Sequence, residues 1–448
     1  MTAARRGGWL LGLGVALIAL TVPELAMHHA QEVEIATWER MAGFVALGAM
    51  GGVAYFAAVA LVLSGPAPRW VLPAVLAGSV LMRALPLAAP PTLSSDAYRY
   101  VWDGRVQAHG INPYVYLPAA PELADLRDEA VYSKMNRVGT ATTIYPPVAQ
   151  MLFAAAGQAW PSIFGIKAMM VGFEALAVGV MLHLLRLAGL GREQVLIYAW
   201  NPVAVWEYAG NGHIDAASIG FIALALLAVT ARRSTLAGVA LAAAALCKLL
   251  PVALFPAFWR RWDWRMAAAA AVTVAACYAL YLGAGWRVLG YLPGYSDEEG
   301  LGSGGGVFAV RVLALFGPVS AWTAGLAMAA ILAGLLALAA ALAFGPPLPE
   351  APGPRAVAVA RGAVIVAAAV MAGISPHYPW YLGWLAYLAC LAPIPSVVYL
   401  SAAGVLLYLD PGRDRLLWPA LVYGGFLLLA ALDLSRAFRP QPAPRAVR

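Results

Sequence analysis

The sequence predicts an all-α, polytopic membrane protein of about 12 transmembrane helices, with further helices at the interface in its first large outer loop. Three observations predict it. Of 448 residues, 62% are apolar and only 11% charged, and the mean hydropathy is +0.76. A soluble globular domain is roughly 45–50% apolar and about 25% charged, and a disordered chain is less apolar still. Apolar runs long enough to cross a bilayer recur along the whole chain. The basic residues, which give a net charge of +7, collect at the ends of those runs. There they set topology and meet anionic headgroups, and no basic stripe interleaved with aromatics suggests nucleic acid.

The elements follow in order. Arg5 and Arg6 precede a run at 9–26, which is long for a signal peptide and is read as a retained first span. Spans follow at 41–64 and 70–88. The longest polar stretch, 89–145, comes next. Segment 146–160 is short for a span and is placed at the outer interface. Further spans are read at 166–187, 194–208, 214–230, 266–283, 321–344, 356–372, 380–391, 395–409 and 416–434. Segment 236–259 has arginines at both ends and Lys248 and Pro251 in its middle, which suits a re-entrant hairpin. The Pro-rich stretch 346–355 reads as a cytoplasmic linker between an N-terminal module, 1–345, and a C-terminal one, 356–448.

The excess of Arg on one side places both termini in the cytoplasm and loop 89–145 outside, together with 286–306 and 375–377. Glu32, Glu34 and Glu39 fall outside as well, whereas Arg413 and Arg415 fall outside against the rule. Cys247, Cys277 and Cys390 lie in apolar runs without CxxC spacing, so neither a disulfide framework nor a zinc site is expected.

Candidate chemistry gathers on the outer face. Ser94 and Ser95 can cap a helix that starts with Asp96, and helical spacing puts Asp96, Tyr100 and Asp103 on one side of it. His109-Gly110 ends that helix and Asn112-Pro113 turns the chain. The same residues also fit a solvated surface helix with its charges turned to water. The segment from Asn201 to Asp215 places Glu207, Asn211, His213 and Asp215 at the outer end of a span pair, with Gly210 and Gly212 allowing a sharp turn. His213 and Asp215 resemble metal ligands only in type, because their spacing is poor and nothing nearby completes a set. A polar turn with a capped helix explains them equally.

Of only three lysines, Lys248 lies within an apolar run. A charge there meets either a carboxylate or a substrate phosphate. His377 and Trp380 stand at the mouth of a late span, where aromatics either stack on sugar or form a headgroup belt. Arg287 and Arg311 flank the glycine-rich loop 300–306, a candidate lid. No GxxxxGK[ST] or GxGxxG loop is present, so no soluble nucleotide site is expected. A base plus cations on one membrane face suits transfer from a lipid-linked phosphosugar.

These motifs carry a family resemblance. The run DAYRYVWDGRVQAHGINPY from Asp96, TIYPP at 143–147, WNP at 200–202, GNGHID at 210–215 and CKLLP at 247–251 resemble polytopic GT-C glycosyltransferases. The likeness is greatest to bacterial mannosyltransferases that use polyprenyl-phosphate sugars. It implies an acidic base in the first large loop, which Asp96 matches and Asp103 could replace. In that family this loop usually follows the first span, whereas here it follows the third.

The resemblance implies inverting transfer of a sugar, mannose by likeness, to a glycolipid, glycan or protein acceptor at the bacterial inner membrane, on its periplasmic face. Lys248, Arg287, Arg311 or His377 would neutralise the leaving phosphate, and Tyr100, Arg105, Asn112, Tyr145, Glu207, Asn211, His213, Asp215 and Trp380 would bind substrate. No metal and no separate cofactor are expected, since no DxD motif occurs. Two other readings remain open: a transporter or lipid flippase, for which Glu174 and Glu207 are the candidate intramembrane carboxylates, and a non-catalytic assembly subunit.

Overall fold

The computed structural model describes residues 1–29, 38–91, 93–260, 262–300, 303–410 and 415–437. Among the described residues every regular element is helical. Helices α1 (Ala3–His29) and α2 (Trp38–Leu63) pack as a hairpin. Arg6 closes its open end by donating to Ser64 Oγ at 3.0 Å and to the Ser64 and Pro66 carbonyls. A cation thus sits where the end of α2 leaves carbonyls unpaired. Glu32 and Glu34 lie outside the described residues. Helix α3 (Val71–Leu87) runs beside α1. The Trp200 ring fills the seam against Gly14 and Gly78, and its Nε1 donates to the Val75 carbonyl at 2.9 Å.

Helix α4 (Asp96–Ala108) is not a solvated surface helix: nine of its 13 residues are buried. The reason is its crossing with α5 (Pro147–Ala159), where Gly104 and Gly157 meet backbone to backbone. A Cβ on Gly104 would lie 2.3 Å from the Phe153 carbonyl oxygen. Without side chains there, the helices approach closely enough for Tyr100 to stack on Phe153 at 4.4 Å. Gly104→Ala is therefore expected to push α4 off α5 and cost about 1–3 kcal/mol, the range for overpacking. Thermal unfolding in detergent measures this, and an unchanged midpoint would show that the crossing tolerates a methyl.

Helix α6 (Ile163–Leu187) starts at Ser162, whose Oγ accepts the Gly165 N–H at 3.0 Å. Its Glu174 takes a two-pronged pair from Arg83 of α3, at 2.7 and 3.1 Å, and a hydrogen bond from the Tyr198 hydroxyl at 3.0 Å. Its Lys167 donates to the Pro86 carbonyl at 2.7 Å and to that of Ala89, at the end of α3.

The apolar runs read as two spans at 194–208 and 214–230 instead contribute a bent pair. Helices α7 (Pro202–Gly210) and α8 (Asp215–Thr230) meet at 115°. Helix α9 (Ser234–Cys247) packs on α8, with Ser218 Oγ donating to the Ala244 carbonyl at 3.0 Å. After Lys248 the chain returns to α10 (Trp264–Ala279), where the Met266 carbonyl lies against Gly238 near the start of α9. Segment 236–259 therefore leaves and returns at one level, with Lys248 at its apex.

Further helices include α11 (Leu292–Glu298), α12 (Ala321–Ala343), α13 (Pro352–Ile374), α14 (Gly383–Ala389), α15 (Pro395–Leu409) and α16 (Leu417–Ala437). Arg355 donates to the carbonyls of Pro349, Glu350 and Thr230, which folds the Pro-rich stretch back onto the end of α8. One apolar core runs from α1 to α16.

By length and apolarity six described helices can cross a membrane, or eight if each of two bent pairs is one span. This fits a multi-pass membrane protein, but it does not reproduce the twelve spans read from apolar runs. Helix α9 has 14 residues, a rise of about 21 Å against an apolar bilayer thickness of about 30 Å. Run 380–391 yields a short 3-10 turn, Pro379–Leu382, and the seven-residue α14, both buried. Apolar residues that face protein need no spanning length.

Candidate functional site

The fold encloses a cavity of about 560 Å³ between the start of α4, the turn after α9, α11 and segment 374–381. Small-molecule sites commonly measure roughly 300–1,000 Å³. Asp96, the first residue of α4, lines it with its side chain 19% exposed. Ser94 Oγ accepts the Asp96 N–H at 3.2 Å and sets the helix start.

Lys248 enters from the apex opposite. Its extended backbone (φ −150°, ψ 131°) stops α9 and turns the side chain into the cavity. Nζ donates to Asp215 Oδ2 at 2.9 Å and sits 4.3 Å from the Tyr381 ring centroid. Of the two alternatives open in the sequence, the structure shows the carboxylate partner, and it also places the lysine at the cavity. Asp215, opening α8, is the anion that keeps this cation in place.

The roof is α11. Gly290 precedes it at φ 62°, and a Cβ there would lie 2.1 Å from the Thr143 carbonyl oxygen, so only glycine lets the roof come down on loop 141–146. Tyr291 N–H donates to that carbonyl at 3.1 Å. The Tyr295 and Tyr381 hydroxyls, 2.6 Å apart, tie the roof to the far wall. Arg137 lines the cavity and pairs with Glu298 at 2.6 Å. Partial burial would lower the Arg137 pKa, but Glu298 outweighs it and the net direction is upward, so the guanidinium stays charged. Tyr145 also lines the cavity. Burial, and then the nearby Asp96 carboxylate, push its phenol well above the ordinary value, so it remains a neutral donor.

Behind Asp96 stands a buried layer. His213 Nδ1 lies 3.6 Å from Asp96 Oδ2, and Nε2 lies 3.3 Å from Glu207 Oε2. The imidazole stacks on Trp380 at 4.1 Å, and Tyr378 stacks on the other side of Trp380 at 4.3 Å. Glu207 accepts from Asn211 Nδ2 at 3.2 Å and from the Tyr408 hydroxyl, while Asn211 Oδ1 accepts the Leu93 N–H at 3.2 Å. Among the described residues, no grouping of three or more His, Cys, Asp and Glu could hold a metal ion.

The structure therefore brings Asp96, Tyr145, Lys248, His377 and Trp380 to one cavity, with Glu207, Asn211, His213 and Asp215 packed directly behind. It does not bring the others there. Asp103 is buried between Arg99, at 2.8 Å, and Gln150, at 2.8 Å. Tyr100 lies in the α4–α5 interface. Arg105 holds the outer loop by pairing with Asp128 at 2.7 Å, and Asn112 donates to the Tyr281 carbonyl at 3.1 Å. Arg287 is exposed and donates to the Val115 carbonyl at 3.3 Å. Arg311 pairs with Asp410 at 3.3 Å in a small adjoining pocket. Of the glycine-rich loop, Gly306 lines the cavity, whereas 301–302 lie outside the described residues.

Sequence reasoning passed over Arg137. Nothing in the sequence separates it from Arg99, Arg105 or Arg127 of the same loop. Its partner is 161 residues away, and its backbone adopts φ 53°, neither of which local pattern reveals.

Comparison with known proteins agrees with the motifs. No curated protein and no solved structure matches the chain. The family described as alpha-(1->6)-mannopyranosyltransferase, N-terminal domain, matches residues 39–263, half of the chain, and that stretch contains Asp96, Arg137, Glu207, His213, Asp215 and Lys248. The chain thus belongs to the alpha-(1->6)-mannopyranosyltransferase family and is a membrane glycosyltransferase of the mannosyltransferase type.

Proposed function

We propose that the protein is a GT-C-type enzyme that transfers mannose from a polyprenyl-phosphate donor to a hydroxyl of an envelope glycolipid, glycan or protein, with inversion. The observation that carries this reading is the single cavity into which an acid from the first outer loop and cations from distant elements converge. Asp96 takes the proton from the acceptor hydroxyl as its oxygen attacks the anomeric carbon. The bond to the donor phosphate breaks, and its electron pair leaves with the phosphate. Lys248 and Arg137 face that developing charge, a preorganised cationic site of the kind that contributes most to such reactions. Each already has a carboxylate partner, Asp215 and Glu298, so each is charged before substrate arrives. Tyr378 and Tyr381 offer ring faces for the sugar, with Trp380 stacked behind Tyr378. Leu249, Leu250 and Leu292 offer an apolar edge for the prenyl chain.

The transporter reading loses its carboxylates: Glu174 is locked by Arg83 and Glu207 by Asn211 and Tyr408. A site on the periplasmic face of the bacterial inner membrane is supported by the distribution of arginines in the sequence.

The test is transfer by the purified full-length protein in liposomes, with an alkyl mannoside as acceptor. Product is expected from polyprenyl-phosphate mannose and none from nucleotide-linked mannose. Transfer from the nucleotide sugar alone would overturn the donor assignment, and uptake of lipid-linked sugar without transfer would favour a flippase.

A further inference from the structure

We propose that His213 is a positioning residue that takes the acceptor's proton onward from Asp96, in a buried relay anchored by Glu207. This rests on the reading of Asp96 as the base. His213 is fully buried, and neither ring nitrogen completes a hydrogen bond. Buried polar groups left this way are rare and mark a use. The ring lies on the line between two carboxylates, 3.6 Å from Asp96 Oδ2 and 3.3 Å from Glu207 Oε2. Both separations are slightly long for hydrogen bonds, and catalytic contacts of this kind tighten when substrate closes the site.

The surroundings hold the ring to that line. Trp380 covers one face at 4.1 Å. Gly212, at φ 73°, turns the chain just before His213, and a Cβ there would lie 2.9 Å from Lys167 Cγ. Glu207 is fixed by Asn211 and Tyr408. When substrate closes the site, the anchored Glu207 carboxylate accepts the Nε2–H, and that tautomer turns Nδ1 toward Asp96.

A lone carboxylate is a weak base for a sugar hydroxyl. Here the acceptor O–H bond breaks and its oxygen bonds to the anomeric carbon, while the carbon–phosphate-oxygen bond breaks with its electrons going to phosphate. The proton passes to Asp96 and on to His213 Nδ1, giving an imidazolium between two carboxylates. It returns through Asp96 to the released phosphate monoester, whose second ionisation lies near pH 6. The other charged or titratable groups around the ring are Lys167 beneath Gly212, the Lys248–Asp215 pair, Tyr378, His377 and Tyr408.

The experiment measures kcat and donor KM against pH with polyprenyl-phosphate mannose, for the wild type, His213→Gln and Glu207→Gln. The relay gives wild-type kcat an acid limb set by His213 and its two carboxylates together, not by Asp96 alone. Glutamine keeps a donor and an acceptor but carries no proton. His213→Gln is expected to lower kcat by about 10²-fold, leave donor KM within about threefold and move the acid limb down to the carboxylate range. Glu207→Gln removes a negative neighbour and shifts the limb to lower pH. A His213→Gln profile parallel to wild type, whatever its kcat, would overturn the relay. If His213→Gln does not fold, an unshifted limb in Glu207→Gln overturns it instead. Such a result alongside an inactive Asp96→Asn leaves the base reading standing, whereas a wild type that cannot use the lipid donor sinks that reading first.

Discussion

Replacing Asp96 by asparagine is expected to lower kcat for sugar transfer by about 10²–10⁴-fold, the contribution of general-base assistance, without unfolding the protein. Asparagine has the same shape and keeps the helix start, where Ser94 holds the backbone N–H. Loss of an anion from the first turn of α4 costs only about 0.3–1 kcal/mol. The nearest ionisable partner is not closely paired: the His213 contact is 3.6 Å long. Since proton transfer is made only in the transition state, donor KM should stay near its wild-type value.

Asp103→Asn provides the contrast. Asp103 partners Arg99 and Gln150 in the buried α4–α5 layer, so its loss should lower the unfolding midpoint, and any activity lost should follow the fraction unfolded. Steady-state kinetics with a lipid-linked donor, run beside thermal unfolding, separates the two. Full transfer by Asp96→Asn would remove Asp96 from the base role. A loss of kcat by stably folded Asp103→Asn would move the role to Asp103.

Glu174→Ala is expected to cost about 3–5 kcal/mol, the penalty for leaving one member of a buried ion pair alone. Both side chains are nearly inaccessible, at 7% for Arg83 and 1% for Glu174. Arg83 would keep Ser79 Oγ at 2.9 Å and the Ala199 carbonyl at 2.7 Å, but its charge would have no counterion among the groups described around it. The Tyr198 hydroxyl would lose its acceptor too. Denaturant unfolding in detergent micelles measures the loss. Adding Arg83→Met should recover most of it, because an apolar replacement of both partners removes the desolvation cost together with the attraction. A single variant as stable as wild type would mean that water or lipid headgroups reach Arg83.

Several features of this protein were legible in the sequence because they depend on composition and short spacing. Apolar excess dictates a helical membrane protein, since backbone groups in lipid must pair within a segment. Ser94 before Asp96 marks the helix start, and the arginine pairs around 236–259 mark a chain that returns to the side it left. The family motifs also lie in contiguous stretches, so Asp96, His213, Asp215 and Lys248 could be chosen before any contact was known.

Tertiary structure alone decided which candidates share a site. Asp96 and Asp103 look equivalent in sequence, seven positions apart on one helix. Only the Gly104–Gly157 crossing buries Asp103 against α5 and leaves Asp96 at the cavity. Arg137 became a site cation and Arg287 an outer-loop tie through partners far along the chain. The twelve spans are not confirmed for a related reason: an apolar run reports that a segment avoids water, whether lipid or protein covers it. Periodicity and composition are local properties of a chain. The meeting of an acid, an imidazole and two cations depends on how helices cross, and a missing side chain at one glycine can decide that.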